Sequence, residues 1–321
     1  MDIKGTLKKN TMVIALILVA GFFAIQTQGA LLAPQNISNL IAQNSYVVIL
    51  AVGMLLCILT GGNIDLSVGS VVCLVGAIAG KLIVSAGMNK WLAMAICLLV
   101  GLAIGVWQGF WIAYVRIPPF ITTLAGMLLW RGVALLVLGG LTISPFPDDY
   151  LNLFNSYIAN TVIALVAGVI ISIVYVITVF YNRSVRAKKG YAQTSLTGDI
   201  VKSIMICAVV MAVSYKLSQY KGIPYILLLL AVVVACYSYY TSKTVWGRQY
   251  YAVGGNEKAA KLSGINTNRV YFAAYVNMSF LAAVAALVCV ARFNSAAPTA
   301  GNNYEMDAIA SCFIGGASAY G

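Results

Sequence analysis

Long apolar runs separated by short polar stretches follow one another along almost the whole chain. A helix needs about 20 predominantly apolar residues to cross the hydrocarbon core of a bilayer. Because the runs are continuous and do not alternate with polar positions, they favour helices over a β-barrel. The pattern predicts transmembrane helices at residues 11–25, 46–60, 64–80, 91–115, 120–139, 157–181, 203–217, 223–241 and 270–291, and a further apolar run from Met306.

The composition leads to the same class of protein. Of the 321 residues, 61% are hydrophobic and 9% are charged, whereas soluble domains carry about 25% charged residues. We therefore expect an all-α fold. The chain is predicted to be a polytopic helical membrane protein with about ten or more transmembrane helices in contact with lipid. Residues 1–321 are expected to form a single transmembrane domain.

The net charge of +12 comes from lysines and arginines, many of which lie in the polar stretches. Lys4, Lys8 and Lys9 precede the first apolar run and place the N-terminus in the cytoplasm, with an uncleaved first span. The basic stretches 182–202 and 242–269 fall on the same side when the spans alternate. These charges indicate orientation, so no nucleic-acid partner is expected.

The longest well-punctuated polar stretch covers residues 247–268 and reads GRQYYAVGGNEKAAKLSGINTN. Gly254 and Gly255 permit a sharp turn. Asn256 then predicts a helix N-cap, and Glu257 places negative charge at the positive end of the helix dipole. Gly264 is placed to stop this helix after about seven residues, a length that is marginal alone in water.

Such a short helix needs a surface against which to dock. Its apolar residues, Ala259, Ala260 and Leu262, suit a shallow groove on another protein. The residues alone leave two interpretations open, because a plain capped helix in a loop between two membrane spans has the same pattern.

A polar break at residues 61–67, reading GGNIDLS, interrupts what would otherwise be one apolar run. Asn63, Asp65 and Ser67 are its polar side chains. An acidic side chain inside a bilayer costs about 2.5–3.5 kcal/mol on insertion scales, so it usually faces protein or water. Asp65 and Ser67 either cap the following helix or contribute to a translocation path.

A second break at residues 301–307, reading GNNYEMD, again places glycine and asparagine before acids that open an apolar helix. Asn303, Glu305 and Asp307 are its candidate polar residues. The two breaks resemble related positions of an internal repeat, an arrangement that often frames a transport site. An ion- or proton-coupled carrier or channel that uses Asp65, Glu305 and Asp307 is the alternative function.

Catalytic motifs are missing from the sequence. It contains no GxxxxGK[ST] nucleotide-binding loop, no GxSxG, no HExxH and no histidine. Histidine is the usual general base near neutral pH, so a membrane enzyme, the third class considered, would lack a nucleophile–base pair. We predict no catalytic residue, no metal site and no cofactor bound by this chain.

Four motifs in order resemble one family: GGNIDLSVGS at 61–70, PPFITTLAGMLLWRG at 118–132, GRQYYAVGGNEKAAKLSGI at 247–265 and AGNNYEMDAIASCFIGGAS at 300–318. The family comprises the membrane permeases of bacterial ATP-binding-cassette importers for ribose, galactose and xylose. The likeness runs from about residue 38 to the end and is to xylose and multiple-monosaccharide permeases in particular. An extra helix pair at 183–241 looks like the longer xylose-type members.

The resemblance implies a permease subunit in the bacterial inner membrane that imports xylose or related sugars. A second, identical copy would complete the pathway, a periplasmic binding protein would deliver the sugar, and cytoplasmic ATPases would bind the ATP. The stretch 247–268 would be the cytoplasmic coupling loop that docks on the ATPase, with its short helix as the coupling helix. The residues assigned to this contact are Gly247, Arg248, Gly254, Gly255, Asn256, Glu257, Ala259, Ala260, Leu262 and Gly264.

The run from Met306 reaches only about 15 residues before Gly321, short of the roughly 20 that cross a bilayer. Family members continue past this point. We therefore expect the chain to be C-terminally incomplete. The alternative is a re-entrant segment that ends at a water-filled vestibule.

Overall fold

A computed structural model describes residues 11–159, 161–191 and 195–318. Lys4, Lys8, Lys9 and Gly321 lie outside these ranges, so the predictions that rest on them are not addressed by the structure. The described chain is almost entirely helical, as the apolar runs predict. It divides into two compact units, and the boundaries fall near residues 41, 156 and 225.

The first unit contains Tyr157–Tyr225 and the described residues up to Ile41. Two strands of two residues each pair antiparallel, with Ile158 opposite Ile223. Ser38 donates a hydrogen bond to the Tyr157 hydroxyl over 3.3 Å. The elements of this unit are α1 (Thr11–Gln26), a 3-10 turn (Ala30–Leu32), α2 (Pro34–Gln43), β1 (Tyr157–Ile158), α8 (Thr161–Lys188), α9 (Leu196–Ser218) and β2 (Ile223–Pro224).

The second unit contains Ala42–Ser156 and the residues from Ile226 onward. It holds both polar breaks and the 247–268 stretch. Its elements are α3 (Ser45–Ile58), α4 (Val68–Ala79) continued by a π-helical segment (Gly80–Ser85), α5 (Lys90–Ala113), α6 (Pro119–Leu138), α7 (Asp148–Asn155), α10 (Tyr225–Lys243), α11 (Val245–Gly255), α12 (Glu257–Leu262), α13 (Thr267–Phe293) and α14 (Tyr304–Ile314).

Eight helices in the described residues are long and apolar enough to cross a membrane. The first, Pro34–Ile58, joins α2 and α3, and the second, Val68–Ser85, joins α4 with its π-helical continuation. The others are Lys90–Ala113, Pro119–Leu138, Val162–Lys188, Leu196–Ser218, Tyr225–Lys243 and Thr267–Phe293. The two remaining predicted runs form α1, with 16 residues, and α14, with 11 residues. The polytopic helical fold is confirmed, and the two shorter helices account for the difference between eight and the expected ten or more.

Helix α13 lies at the centre of the second unit and packs against α3, α4 and α5. Tyr275 and Met278 are fully buried there among small alanines. On α5, Gly101 and Gly105 face α13 so closely that an added Cβ would lie 2.5 Å from Ala283 Cβ and 2.8 Å from Val276 Cα. The GxxxG pattern therefore serves helix packing, as small residues do in membrane bundles.

Leucine substitution at both Gly61 and Gly62 is expected to damage transport more than a pair of leucines on the exposed side of α5. Both glycines have positive φ, +107° and +77°, which leucine adopts at a cost of about 1–2 kcal/mol per residue. The comparison pair is Ala95→Leu with Ala103→Leu, at exposed helical positions. Sugar uptake normalised to the membrane abundance of each variant is the measurement. Equal losses for the two pairs would contradict the prediction.

Candidate functional site: a polar cavity and a coupling helix

The first polar break separates α3 from α4 and is closed by a buried hydrogen-bond chain. Asp65 Oδ1 accepts from the Ser67 backbone N–H over 2.8 Å and from Ser67 Oγ over 2.6 Å. Gln108 Nε2 on α5 donates to Ser67 Oγ over 2.7 Å. Asp65, Ser67 and Gln108 are all fully buried. The carboxylate thus faces protein, as an acidic side chain in a membrane domain must.

This geometry refines the predicted helix cap. Ser67 occupies the N-cap position of α4, but its side chain makes no capping hydrogen bond to the helix. Asp65 instead binds the N–H of Ser67 itself, two residues on, which is the pattern of an Asx turn. Asn63 closes the preceding turn, because its Nδ2 donates to the Thr60 carbonyl oxygen over 3.0 Å.

The second break lies directly against the start of α4. A Cβ added at Gly69 would lie 2.1 Å from the carbonyl oxygen of Gly301, and one at Gly301 would lie 2.0 Å from that of Gly69. Only glycine allows two backbones to approach this closely. Gly301 also has a φ of +73°. The second break therefore packs on the first turn of α4, which directly follows the first break in the chain.

A cavity of about 260 Å³ opens beside this contact. Arg131 on α6 lies in its wall, and its Nη1 donates to the carbonyl oxygens of Pro298, over 3.2 Å, and Ala300. The full lining is Ser70, Met127, Leu128, Arg131, Asn302, Asn303 and Glu305. Of the six polar residues predicted for the translocation path, the structure places Asn303 and Glu305 in this wall.

Asp307, the third predicted residue of the second break, is not part of the cavity lining. Its Oδ2 accepts a hydrogen bond of 2.9 Å from the Tyr46 hydroxyl. The Tyr46 ring stacks on Tyr304, with ring centroids 3.9 Å apart. These contacts fix α14 against α3, so Asp307 has a structural partner.

The predicted short helix is α12, with six residues from Glu257 to Leu262. The Asn256 side chain accepts from the Ala259 N–H over 2.9 Å, so it is the N-cap. Gly264 follows the helix with a φ of +84°. The sequence thus places both ends of this helix correctly.

The interpretation of Gly254 and Gly255 as a sharp turn is wrong. Both residues complete α11, and the chain changes direction at Asn256, which has extended backbone. Gly254 has a different requirement, because a Cβ there would lie 2.1 Å from the Leu59 carbonyl oxygen. Gly254 therefore brings α11 against the end of α3, just before the first polar break.

Of the three apolar residues of α12 that were predicted to dock, one is buried in the core of the chain and two are exposed. Leu262 is 91% exposed and Ala260 is 5% exposed. Ala259 is exposed, so it shares the open side of the helix with Leu262. Ala260 belongs to the hydrophobic core of the chain itself, which corrects its assignment to a docking face. In α11, Gly247 is buried and Arg248 is exposed.

Arg116, in the connection between α5 and α6, holds α12 in place. Its Nη1 lies 2.7 Å from Glu257 Oε1, and its Nη2 donates to Thr267 Oγ1 and Asn268 Oδ1. The Tyr271 hydroxyl donates to Glu257 Oε2 over 3.2 Å. Arg116 has a φ of +66°, which is uncommon for a residue with a side chain.

The Arg116 contact changes the pKa of the Glu257 carboxyl. Partial burial alone would raise its pKa, but the hydrogen bond and charge of Arg116 hold the pKa below its ordinary value. A lowered pKa keeps the ion pair formed at neutral pH and breaks it only as the pH falls through the acid range. Because both side chains are more than one third exposed, the pair contributes about 0–1 kcal/mol to stability.

Sequence reasoning missed Ser70, Gln108, Arg116 and Arg131. Gln108 and Arg131 carried a usable signal, since each is an isolated polar residue inside a long apolar helix, where polar side chains are rare. Ser70 and Arg116 had none, because a serine in the first turn of a helix and an arginine in a connection between helices are both common.

The fold defines a multi-pass helical membrane protein. The chain belongs to the family described as branched-chain amino acid transport system / permease component, which matches residues 36–321. The xylose transport system permease protein XylH of Haemophilus influenzae is 37% identical over 310 residues, covering 97% of this chain and 82% of the relative.

Two further relatives are of the same kind. XylH of Escherichia coli K12 is 36% identical over 310 residues, covering 97% of this chain and 78% of the relative. The ribose import permease protein RbsC of Escherichia coli K12 is 33% identical over 286 residues, covering 89% of this chain and 70% of the relative. No solved structure matches the chain significantly. The predicted membership in the sugar permeases is thereby confirmed.

Proposed function

We propose that this chain is the membrane subunit of an ATP-binding-cassette importer that carries xylose or a related monosaccharide into the cell. ATP would be bound and hydrolysed by a separate cytoplasmic subunit, and a periplasmic protein would deliver the sugar. A second copy of the chain would complete the pathway in the inner membrane. The N-terminus and the 247–268 stretch would lie in the cytoplasm, where their positive charges favour them.

The exposed side of α12 is the observation that carries this proposal. Leu262 is 91% exposed on a helix of six residues, which is too short to be stable without tertiary support. The chain supports this helix from one side, through Ala260 and Arg116, and leaves the other side open. An ATPase subunit that binds the open side would contact both a rigid helix and an apolar anchor.

A path from α12 to the cavity runs through α6. Arg116 binds Glu257 of α12. It lies in the chain just before α6, which begins at Pro119. Arg131, on the same helix, lies in the cavity wall. A displacement of α12 by the ATPase would therefore move one end of a helix whose other half contacts the cavity. We propose that ATP hydrolysis in the ATPase changes the shape of the sugar cavity through this movement of α6.

An ion- or proton-coupled carrier is the second candidate, and one observation favours it. Asp65 is fully buried, and its Oδ2 has no hydrogen-bond partner within the described residues. Such an oxygen is where a transported proton or cation would bind. In this mechanism, uptake would follow the ion gradient and would need no ATPase.

Energy dependence in whole cells separates the two candidates. Xylose uptake is measured in cells that carry this chain with the ATPase and binding protein encoded beside it and that lack other xylose transporters. We expect uptake to persist when an uncoupler collapses the proton gradient while ATP is maintained, and to stop when ATP is depleted. Loss of uptake with the uncoupler at normal ATP would favour the carrier.

A further inference from the structure

The polar cavity beside the Gly69–Gly301 contact combines hydroxyl, amide, guanidinium and carboxylate groups with only two apolar side chains, Met127 and Leu128. Its volume of about 260 Å³ is near the lower limit of ordinary ligand pockets, which measure roughly 300–1,000 Å³. The cavity therefore suits a small and strongly polar ligand.

Ser70 shows that the cavity is built for a ligand group. The residue is 1% exposed, and its Oγ has no hydrogen-bond partner within the described residues. Buried hydroxyls nearly always have a partner. Ser70 lies in the cavity wall, so a hydroxyl of a bound molecule is the group that would satisfy it.

The two charged residues of the wall point to a neutral ligand. Arg131 and Glu305 line the same cavity, and no ion pair joins them in the described part of the chain. Their charges cancel, which disfavours an anion or a cation as the ligand. Arginine only donates hydrogen bonds and a carboxylate only accepts them, whereas a sugar hydroxyl does both. A polyhydroxy ligand can therefore bind both residues at once.

The guanidinium is also held in position. Its Nη1 donates to the carbonyl oxygens of Pro298 and Ala300, which immediately precede Gly301. Arg131 remains part of the cavity wall in this position. A preorganised donor loses less conformational entropy on binding than a free side chain.

We infer that this cavity is a monosaccharide-contact site on the translocation path, in which Ser70, Arg131 and Glu305 bind sugar hydroxyls. This inference rests on the proposed transport function and adds to it the residues that touch the sugar.

The test compares Ser70→Ala with Ser279→Ala in the complete importer, reconstituted with its ATPase and binding protein in proteoliposomes. Ser279 on α13 is the matched control, because it is 1% exposed and its Oγ also lacks a partner, but it does not line the cavity. We expect Ser70→Ala to lower the initial rate of xylose uptake roughly threefold to tenfold, and Ser279→Ala to keep the wild-type rate.

Deoxy sugars distinguish a lost contact from a structural disturbance. With one of the monodeoxy xyloses, the wild type and Ser70→Ala should transport at equal rates, because the partner of the serine hydroxyl is already missing. Rates for Ser70→Ala that equal those of Ser279→Ala would overturn the inference. A loss of the same size for xylose and for every monodeoxy analogue would overturn it as well.

The same assay distinguishes a wrong transport function from a wrong assignment of the cavity. A wild-type importer that moves no pentose or hexose in the presence of ATP would overturn the transport function, and the cavity assignment with it. Normal wild-type uptake together with an unaffected Ser70→Ala variant would overturn the cavity assignment alone. Glu305→Gln provides an independent check, because its loss of uptake rate should be largest for the sugars that carry the hydroxyl which donates to the Glu305 carboxylate.

Discussion

Replacing Glu257 by lysine is expected to abolish ATP-driven sugar uptake while the protein remains in the membrane. The substitution replaces the carboxylate whose Oε1 lies 2.7 Å from Arg116 Nη1 with a second cation. It also puts positive charge at the N-terminus of α12, where a negative charge is worth about 0.3–1 kcal/mol. The loss in stability is small, because the pair is partly exposed, but α12 would lose the Arg116 contact that fixes its orientation for the proposed docking of the ATPase.

Uptake and membrane abundance are measured together for this variant. Lys243→Glu is the control, since it reverses an exposed charge in the last turn of α10 and should leave uptake near the wild-type rate. Normal uptake by Glu257→Lys at normal abundance would show that α12 does not transmit the energy of ATP hydrolysis.

Gly69→Ala should destabilise the second unit and nearly eliminate uptake. The new Cβ would lie 2.1 Å from the Gly301 carbonyl oxygen and 2.6 Å from Glu305 Oε2. Because a backbone atom cannot rotate away, α4 and the 298–303 segment must separate. Overpacking of this kind costs typically about 1–3 kcal/mol, and here it also opens the cavity.

Thermal unfolding in detergent and uptake in cells test this expectation. Gly132→Ala is the matched control, because it is the same change inside α6 at a position where an added Cβ meets nothing within 4 Å. It should be neutral or raise stability by up to about 1 kcal/mol. A Gly69→Ala protein that unfolds at the wild-type temperature and transports normally would contradict the close backbone contact.

Much of the fold follows from the positions and lengths of the apolar runs. The predicted span 270–291 is α13, Thr267–Phe293, and the predicted span 91–115 is α5, Lys90–Ala113. Both agree because a membrane helix is set by a local property, an apolar run of sufficient length. The cap at Asn256 and the stop at Gly264 are local in the same way.

The site was harder to predict because its contacts join distant parts of the chain. Glu257 looked like a charge at a helix start, and its bond to Arg116, 141 residues away, has no local signature. Ala260 looked like a docking residue because composition does not tell which side of a short helix faces the core. The two breaks seemed similar in sequence, but only the fold shows that Gly301 of the second break touches Gly69, in the helix that follows the first break.

ATP-driven uptake into proteoliposomes tests the transport function most directly. The chain, its ATPase and the sugar-loaded binding protein are combined, with ATP enclosed on the side of α12 and no ion gradient across the bilayer. The proposed function predicts sugar accumulation that requires all three components and ATP, and that stops with the Glu257→Lys variant. Accumulation driven by an ion gradient without ATP or the ATPase subunit would contradict it.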